Sequence, residues 1–355
     1  MSSGTSAGTA VDPLASRLPV TVITGFLGSG KTTLLRRLLR HPGMNRAAVI
    51  INEFGEAGID HELVAASSEQ TTLLGNGCLC CSLRTDLQET LRELFVKRRA
   101  GEVIDFDRVF VETTGLADPV PVLHTLRTDG LLGAQYRLDG VVTLVDAVNG
   151  MDQLDRMSEA VKQAAVADRL VVTKTDLADD EAVERLRERL AALNPFALCT
   201  TAIDGELDPK CLESIGPRRT TAEPDELNRW LAPAVSGSIL LGGSGRARPA
   251  AHDAAIRSFC LWFDQPFTWD SLNAALQALS QLRGPDLLRV KGIVHVAGEP
   301  GPVVLQGAQH LFHPPVTLDT KSADPRSRIV FIVRNMTCES VEALFAAVET
   351  LGATH

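Results

Sequence analysis

The sequence of 355 residues holds no run near the roughly 18–20 uninterrupted apolar residues that a membrane span requires. Its first sixteen residues are rich in Ser, Gly, Ala and Thr and lack the apolar core of a secretion signal. A flexible tail over 1–16 and a cytoplasmic location are therefore expected. Positive charge is short as well: 35 Lys and Arg stand against 44 Asp and Glu, a formal net charge of −9. That is the wrong sign for broad capture of a nucleic-acid backbone. Neither nucleic acid nor a membrane is an expected partner. Seven cysteines, an odd number without a secretion signal, fit reduced thiols better than a disulfide framework. Internal repeats are missing too. What remains is the composition of an ordinary globular chain, 45% apolar and 22% charged, long enough at roughly 150 residues per domain for two domains.

From Leu18 onward, apolar β-rich runs over 20–24, 47–51, 109–111, 140–145 and 170–173 alternate with helix-period segments. Each run lacks polar alternation, so each reads as a strand buried on both faces. The pattern predicts an α/β fold, a mostly parallel sheet with helices on both faces, with function at the C-terminal strand ends. Leu34, Leu35, Leu38 and Leu39 predict a helix over 31–40, ended by His41-Pro42-Gly43. Amphipathic helices are also expected over 82–99 and 181–193. After about Ala202 prolines and a Gly/Ser/Arg-rich stretch break the pattern. The expected organisation is a nucleotide-binding domain over 17–212, a linker over 213–250 and a smaller α+β domain over 251–355. The last is expected to hold strands at 256–263, 288–296, 303–306 and 329–333 and helices at 271–282 and 340–351.

Directly after the first strand stands Gly25-Phe26-Leu27-Gly28-Ser29-Gly30-Lys31-Thr32, which matches G-x-x-x-x-G-K-[ST] between a strand and a helix. Glycines let the backbone wrap phosphates with its N–H groups inward. In that pattern Lys31 reaches the β- and γ-phosphates, Thr32 ligates Mg²⁺, and the helix presents its positive end. A nucleoside triphosphate site with Mg²⁺ is expected. Glu112 ends a later strand and is a candidate to hold Mg²⁺ or its water, with Gly115 contacting the γ-phosphate. Asn52-Glu53-Phe54-Gly55 is a candidate switch segment, Glu53 lying near the metal. Thr173-Lys174-Thr175-Asp176 favours GTP over ATP, because the Asp176 carboxylate can accept from guanine's ring N–H and amino group while the Lys174 stem covers the ring. Thr173 stands where GTPases usually carry Asn, so a supporting hydrogen bond is expected to be lost. No catalytic Gln or cis Arg finger can be assigned, which predicts slow intrinsic hydrolysis.

Gly77-Cys78-Leu79-Cys80-Cys81 puts three sulfurs within four positions, just before the helix expected from Ser82. A helix N-terminus lowers thiol pKa and so favours the metal-binding thiolate. Three thiolates with one further ligand suit a tetrahedral ion, Zn²⁺ first, then Co²⁺ or Cu⁺. No second Cys pair or His pair closes the set, which points to an open, exchangeable site. A buried apolar cysteine cluster and a redox pair stay open as alternatives. Cys199, Cys211, Cys260 and Cys338 read as packing residues. His310 and His313 are a weaker metal pair, and His124 or His295 could supply a fourth ligand.

The segments GFLGSGKTT, NEFG, GCLCC, ETTG and TKTD, in that order, resemble the CobW-type family of metal-trafficking GTPases, and the likeness extends over Leu287 to Pro300 into a C-terminal domain. The resemblance implies a GTPase of the P-loop class that holds a metal at its C-x-C-C motif and delivers it to a client metalloprotein. Matched by position, Gly25, Gly28, Ser29, Gly30, Lys31, Thr32 and Thr33 would bind phosphate, Cys78, Cys80 and Cys81 the transition metal, Glu112 Mg²⁺, and Lys174 with Asp176 guanine. Ile51 stands where some relatives carry an extra Glu, and the His-rich segment of some members is absent. A homodimer is left open. So are a nucleotide-gated metal sensor without useful turnover, an ATPase or kinase with incidental cysteines, and a thiol oxidoreductase.

Overall fold

The computed structural model describes residues 16–52, 71–73, 79–83, 87–212, 215, 256–309, 311–312, 315–319 and 324–352. The elements of the first domain are β1 (Leu18–Gly25), α1 (Lys31–Arg40), β2 (Ala47–Asn52), β3 (Thr71–Leu73), β4 (Leu79–Leu83), α2 (Leu87–Ala100), β5 (Arg108–Glu112), α3 (Val120–Thr128), α4 (Gly130–Gln135), β6 (Tyr136–Asp146), α5 (Gly150–Arg156), α6 (Ser158–Val166), β7 (Arg169–Thr173), α7 (Asp180–Leu193) and β8 (Leu198–Ala202). They form an eight-stranded sheet in the order β3-β4-β2-β5-β1-β6-β7-β8. All neighbours run parallel except β3 against β4.

Both faces of this sheet are covered, as the near-continuous apolar runs require. On one face Leu34, Leu35, Leu38 and Leu39 of α1 pack with Ile23, Val49, Phe110 and Val142. On the other, Val20, Val22, Val109 and Val111 pack with Leu91 and Leu94 of α2 and Leu123 and Leu126 of α3. Alternate residues of one strand thus feed two separate cores.

Among the elements that depart from the periodicity, three have a plain physical cause. The helix expected over 82–99 begins only at Leu87, and Leu79–Leu83 is strand β4. There Ala48, Val49, Ile50 and Ile51 of β2 pair with Leu79, Cys80, Cys81 and Ser82, while β3 pairs with the other edge. Two ladders satisfy the backbone of β4, and that outweighs the helical spacing of Leu83 and Leu87. The second departure is α6, which local pattern does not announce because Ala160, Val161, Gln163, Ala164, Ala165 and Val166 are all buried. Only Ser158, Glu159 and Lys162 stay outside the core, a polar stripe too short to set a period. The third is α3, whose neighbours Pro119 and Pro121 read as breakers but occupy its N-cap and first turn, where proline is tolerated.

The second domain comprises β9 (Ile256–Phe263), the helix Trp269–Arg283, β10 (Leu287–Val294), β11 (Val303–Ala308), β12 (Leu311–Phe312), β13 (Val316–Thr317), β14 (Ser327–Arg334) and the helix Cys338–Gly352. Its strands pair antiparallel in the order β12-β11-β10-β14-β9, with β13 on β11. Leu272, Leu276, Leu279, Val341 and Phe345 of the two helices share one core with Val290, Ile329 and Phe331. The linker expected over 213–250 lies outside the described residues apart from Ile215, which is buried in the α1 core. No described helix is long and apolar enough to cross a membrane.

The two domains share a contact built around one carboxylate. Leu288, Ala308 and Ile332 of the second sheet join Leu123, Leu126, Ala165 and Val166 in a common apolar cluster. Beside it lies Asp168, between α6 and β7, with its side chain 2% exposed. Asp168 accepts from Arg289 Nη2 at 2.7 and 2.9 Å, from the Val141 N–H at 2.8 Å, and pairs with Lys291 Nζ at 2.6 Å. Burial by itself would raise the Asp168 carboxyl, but Arg289, Lys291 and the Val141 N–H outweigh it and hold the group below its ordinary value.

Removing this carboxylate strands two buried cations, so Asp168→Ala is expected to cost about 3–5 kcal/mol in urea unfolding, whereas Asp152→Ala, which breaks an exposed pair with Arg156, costs less than about 1 kcal/mol. Equal small effects would contradict the assignment. Because the folded-state pKa of Asp168 is lowered, its contribution is complete at neutral pH and is lost as pH falls through that lowered value. Asp168→Asn should flatten this acid limb of the stability profile.

Candidate nucleotide and metal site

Four adjacent strands, β5, β1, β6 and β7, carry polar residues at their C-terminal ends. The loop after β1 leaves Gly25, Gly28 and Gly30 at φ 144°, 74° and 89°, a region that side chains with a Cβ disfavour. Helix α1 then starts at Lys31. The Lys31 ammonium is buried and turned onto the loop, donating to Gly25 O at 2.8 Å and Phe26 O at 3.2 Å. Burial pushes its pKa down, with Glu112 pulling the other way. Ser29 is wholly buried and its Oγ has no hydrogen-bond partner among the described residues. Thr32 Oγ1 donates to Glu112 Oε1 at 3.0 Å, joining the start of α1 to the end of β5. Thr33 is exposed.

After Glu112 the chain is tied back to the same loop. The Thr113 N–H bonds to Ile23 O, and the Thr113 and Thr24 hydroxyls meet at 2.8 Å. Gly115 lies against Leu27: a Cβ built on it would stand 2.7 Å from Leu27 N and 2.8 Å from Leu27 Cα. Only glycine permits that approach.

Strand β7 supplies the third wall. Thr173 Oγ1 donates to Ser29 O at 2.9 Å. The hydrogen bond expected to be lost with Asn is therefore not simply missing, since the hydroxyl ties β7 to the glycine loop. Lys174 adopts a left-handed conformation, φ 58°, and its Nζ pairs with Asp146 Oδ2 at 2.8 Å. Asp146, which sequence reasoning passed over, ends β6 and also accepts from the Val148 N–H and Asn149 Nδ2. Burial would raise its carboxyl, but Lys174, Asn149 and Val148 hold it below the ordinary carboxylate range. Its signal was available in outline: a carboxylate closing a strand of apolar residues, as Glu112 does. Asp176 follows in an exposed single turn, Thr175–Leu177.

For the thiol segment the structure alters the expectation. Cys80 and Cys81 lie within β4, and α2 begins at Leu87, so no helix N-terminus follows the cysteines directly. The dipole of α2 therefore does not act at the positions of Cys80 and Cys81 as expected. The backbone register still relates the segment to the nucleotide side, because Ile51 of β2 pairs with Ser82 on one side and with Glu112 on the other. Two inter-strand steps, roughly 10 Å, separate these positions. Cys78, Glu53, His310 and His313 lie outside the described residues. His295 Nε2 is engaged with Asp324 O at 3.1 Å. Cys260 and Cys338 pack against the cores of the second domain, but Cys199 is exposed on β8 and is not a packing residue. Among the described residues no group of three or more His, Cys, Asp or Glu side chains could hold a metal ion.

The donor set at the strand ends suits a magnesium nucleotide. Mg²⁺ takes oxygen ligands, and Thr32 and Glu112 present a hydroxyl and a carboxylate in contact with each other beside a buried ammonium and the start of a helix. Ser29 Oγ adds a buried hydroxyl without a partner among the described residues.

Comparison with known proteins agrees with this geometry. A profile described as CobW/HypB/UreG, nucleotide-binding domain, matches residues 19–200. A second, the cobalamin synthesis protein cobW C-terminal domain, matches residues 256–349. The zinc chaperone YjiA of Escherichia coli (strain K12) is 34% identical over 334 residues, 93% of this chain and 98% of the relative. The zinc chaperone CobW of Pseudomonas aeruginosa is 31% identical, over 84% of this chain and 82% of the relative. Among solved structures, the crystal structure of Zn(II)-bound YjiA GTPase from E. coli superposes with a TM-score of 0.71 at 32% identity, covering 94% of this chain and 99% of that one. With a nucleotide-type strand-end site in the first sheet and both profiles matched in order, the chain belongs to the CobW/HypB/UreG family of nucleotide-binding proteins and carries the CobW C-terminal domain.

Proposed function

We propose that the chain is a GTP-hydrolysing metallochaperone, which takes a transition metal, Zn²⁺ first, at Cys78, Cys80 and Cys81 and passes it to a client metalloprotein. The observation that carries this reading is the convergence of Lys31, Thr32, Glu112, Gly115 and Thr173 on one glycine loop, in a chain that matches a zinc chaperone nearly end to end.

Lys31 turns from Gly25 O and Phe26 O to the β- and γ-phosphates, exchanging two carbonyl acceptors for stronger anionic ones. Gly25, Gly28, Ser29, Gly30 and Thr33 line the phosphates through the loop and the first turn of α1. Bound Mg²⁺ supplies neutralisation of charge on the β- and γ-oxygens, and Thr32 with Glu112 would hold it. Gly115 contacts the γ-phosphate, and its fit against Leu27 makes that contact sensitive to the position of the glycine loop. Asp176 accepts from guanine while Lys174, restrained by Asp146, covers the base. The thiol-bearing strand is separated from Glu112 by β2 alone, so a shift at the phosphates can alter how the thiolates hold their cargo. By linkage, metal must then change GTP affinity by the factor with which GTP changes metal affinity.

Lys31→Ala is expected to lower multiple-turnover phosphate release from GTP by about 10²-fold or more; retention of turnover would remove Lys31 from the reaction. Asp176→Ala should weaken GTP binding by about 10–100-fold, the worth of hydrogen bonds to a charged acceptor, and leave ATP binding unchanged. Equal GTP and ATP affinities in the unaltered protein would end the guanine assignment. Titration of Zn²⁺ into the reduced protein with a GTP analogue, with GDP and without nucleotide should give different affinities, and Cys80→Ser with Cys81→Ser should abolish the tight phase. Identical affinities in the three states would refute nucleotide control of the metal.

A further inference from the structure

The loop between β5 and α3 is gripped from two sides by glutamine side chains that the nucleotide chemistry itself does not call for. Gln163 stands in the middle of α6 with 1% of its surface exposed. Its Nε2 donates to Gly115 O at 3.1 Å and to Ala117 O at 3.0 Å, so both amide protons are spent on the segment that follows Glu112. The Gln163 backbone carbonyl is held in turn by Thr143 Oγ1 of β6 at 2.7 Å. Its Oε1 is buried with no partner among the described residues. A buried amide that leaves an acceptor unsatisfied is costly, and what it does achieve is to fix two carbonyls of one loop.

The other grip comes from the second domain. Gln309, between β11 and β12, donates from Nε2 to Asp118 Oδ2 at 3.1 Å. It sits in the left-handed region, φ 52°, with its backbone N–H bonded to Leu287 O, so the turn that carries it is braced on β10. The opposite oxygen of Asp118 accepts from the Val120 N–H and starts α3. The same two partners, α6 and β10, meet a second time through the chain segment of Asp168, held by Arg289 and Lys291. The loop that carries Gly115 thus has one anchor on the core of the first domain and one on the sheet of the second.

We propose that Gln163 and Gln309 are positioning residues that hold the Gly115–Asp118 loop in register with the γ-phosphate, so that the triphosphate state of the nucleotide and the placement of the C-terminal sheet are coupled through this loop. The inference rests on the reading of the strand-end site as a GTP site and deepens it. Movement of Gly115 toward or away from a γ-phosphate must strain or relax the bonds to Gln163, and displacement of Asp118 must do the same to Gln309. Discrimination between GTP and GDP is then a property of both domains, since GDP offers nothing for Gly115 to meet. Loss of either glutamine should weaken binding of the triphosphate and slow hydrolysis, with little effect on the diphosphate.

The test uses the full chain with Gln163→Leu, Gln309→Ala and the conservative Asp118→Asn, whose amide can still accept from Val120 and donate to a rotated Gln309. Dissociation constants for a fluorescent GDP and a fluorescent non-hydrolysable GTP analogue are measured with Mg²⁺, beside single-turnover hydrolysis of GTP. Gln163→Leu is expected to lower the single-turnover rate at least tenfold and GTP-analogue affinity about five- to tenfold, with GDP affinity within twofold of the unaltered protein. Gln309→Ala should shift the same quantities in the same direction by about threefold, and Asp118→Asn should keep them near the starting values. The proposal is overturned if the GTP-to-GDP affinity ratio and the rate stay within twofold in both glutamine variants, or if GDP affinity falls in parallel with GTP. Should Gln163→Leu fail to fold, as judged by a thermal melt, the half-buried Gln309 decides alone on the same criteria. Failure of the unaltered chain to bind either nucleotide would instead remove the GTP reading, and this inference with it.

Discussion

Everything placed at the candidate site depends on parallel pairing of β5, β1, β6 and β7 side by side. A parallel ladder brings all its C-terminal ends to one edge of the sheet, and residues 24 to 176 in the chain become neighbours there without any local contact between them. The hydrogen bond from Thr32 to Glu112 and that from Thr173 to Ser29 span 80 and 144 residues of sequence. Each is short because the strands beneath are in register, Ile23 of β1 opposite Glu112 of β5 and Asp146 of β6 opposite Thr173 of β7. Burial of the apolar runs on two faces holds that register, and the polar ends follow.

The second domain is joined to this arrangement more intimately than a tethered module would be. Its sheet donates apolar residues to the core that covers α3 and α6, and two of its cations are committed to a carboxylate of the first domain. A buried ionic cluster of this kind is a poor source of net stability, because desolvation offsets most of the attraction, but it tolerates very little misplacement. Such a contact specifies how the two units meet. The loop that bears Gly115 is tied to the second sheet beside that junction through Asp118 and Gln309, and the proposed coupling of the phosphate edge to both sheets rests on that bond.

Much of the first domain was legible in local pattern. The runs that became β1, β2, β5, β6 and β7 announce themselves by short stretches rich in Val, Ile and Leu, and α1 by four leucines and a His-Pro-Gly stop. Four strands of the second domain, β9, β10, β11 and β14, and its two described helices were legible too, within a few residues at their ends, whereas the two-residue strands β12 and β13 were not. What escaped did so for identifiable reasons: α6 is buried but for the short stripe of Ser158, Glu159 and Lys162, α3 begins among prolines, and β8 is a short edge strand whose residues Leu198 and Cys199 are exposed. At the site, Lys31, Thr32 and Glu112 were visible because their spacing to a glycine loop or a strand end is local. Gln163 and Gln309 were not, because each matters through a partner far away in sequence; Asp146 closes a strand as Glu112 does, but its pairing with Lys174, 28 residues on, shows only in the fold.

The order of residues by itself determined the alternation of strand and helix, the glycine loop with its lysine and threonine, and the clustering of three cysteines, since each is a property of a few consecutive positions. Tertiary structure decided which strand ends would be neighbours, that Leu79 to Leu83 would extend a sheet and not begin a helix, and that Thr173 would reach the glycine loop through its hydroxyl. It also decided that Asp168 and Gln309 would bind the domains to each other and that Gln163 would hold the loop after Glu112 within the first. The reason is common to all four: backbone pairing and desolvation act between segments brought together from afar, and a local preference yields wherever they satisfy more donors and bury more surface.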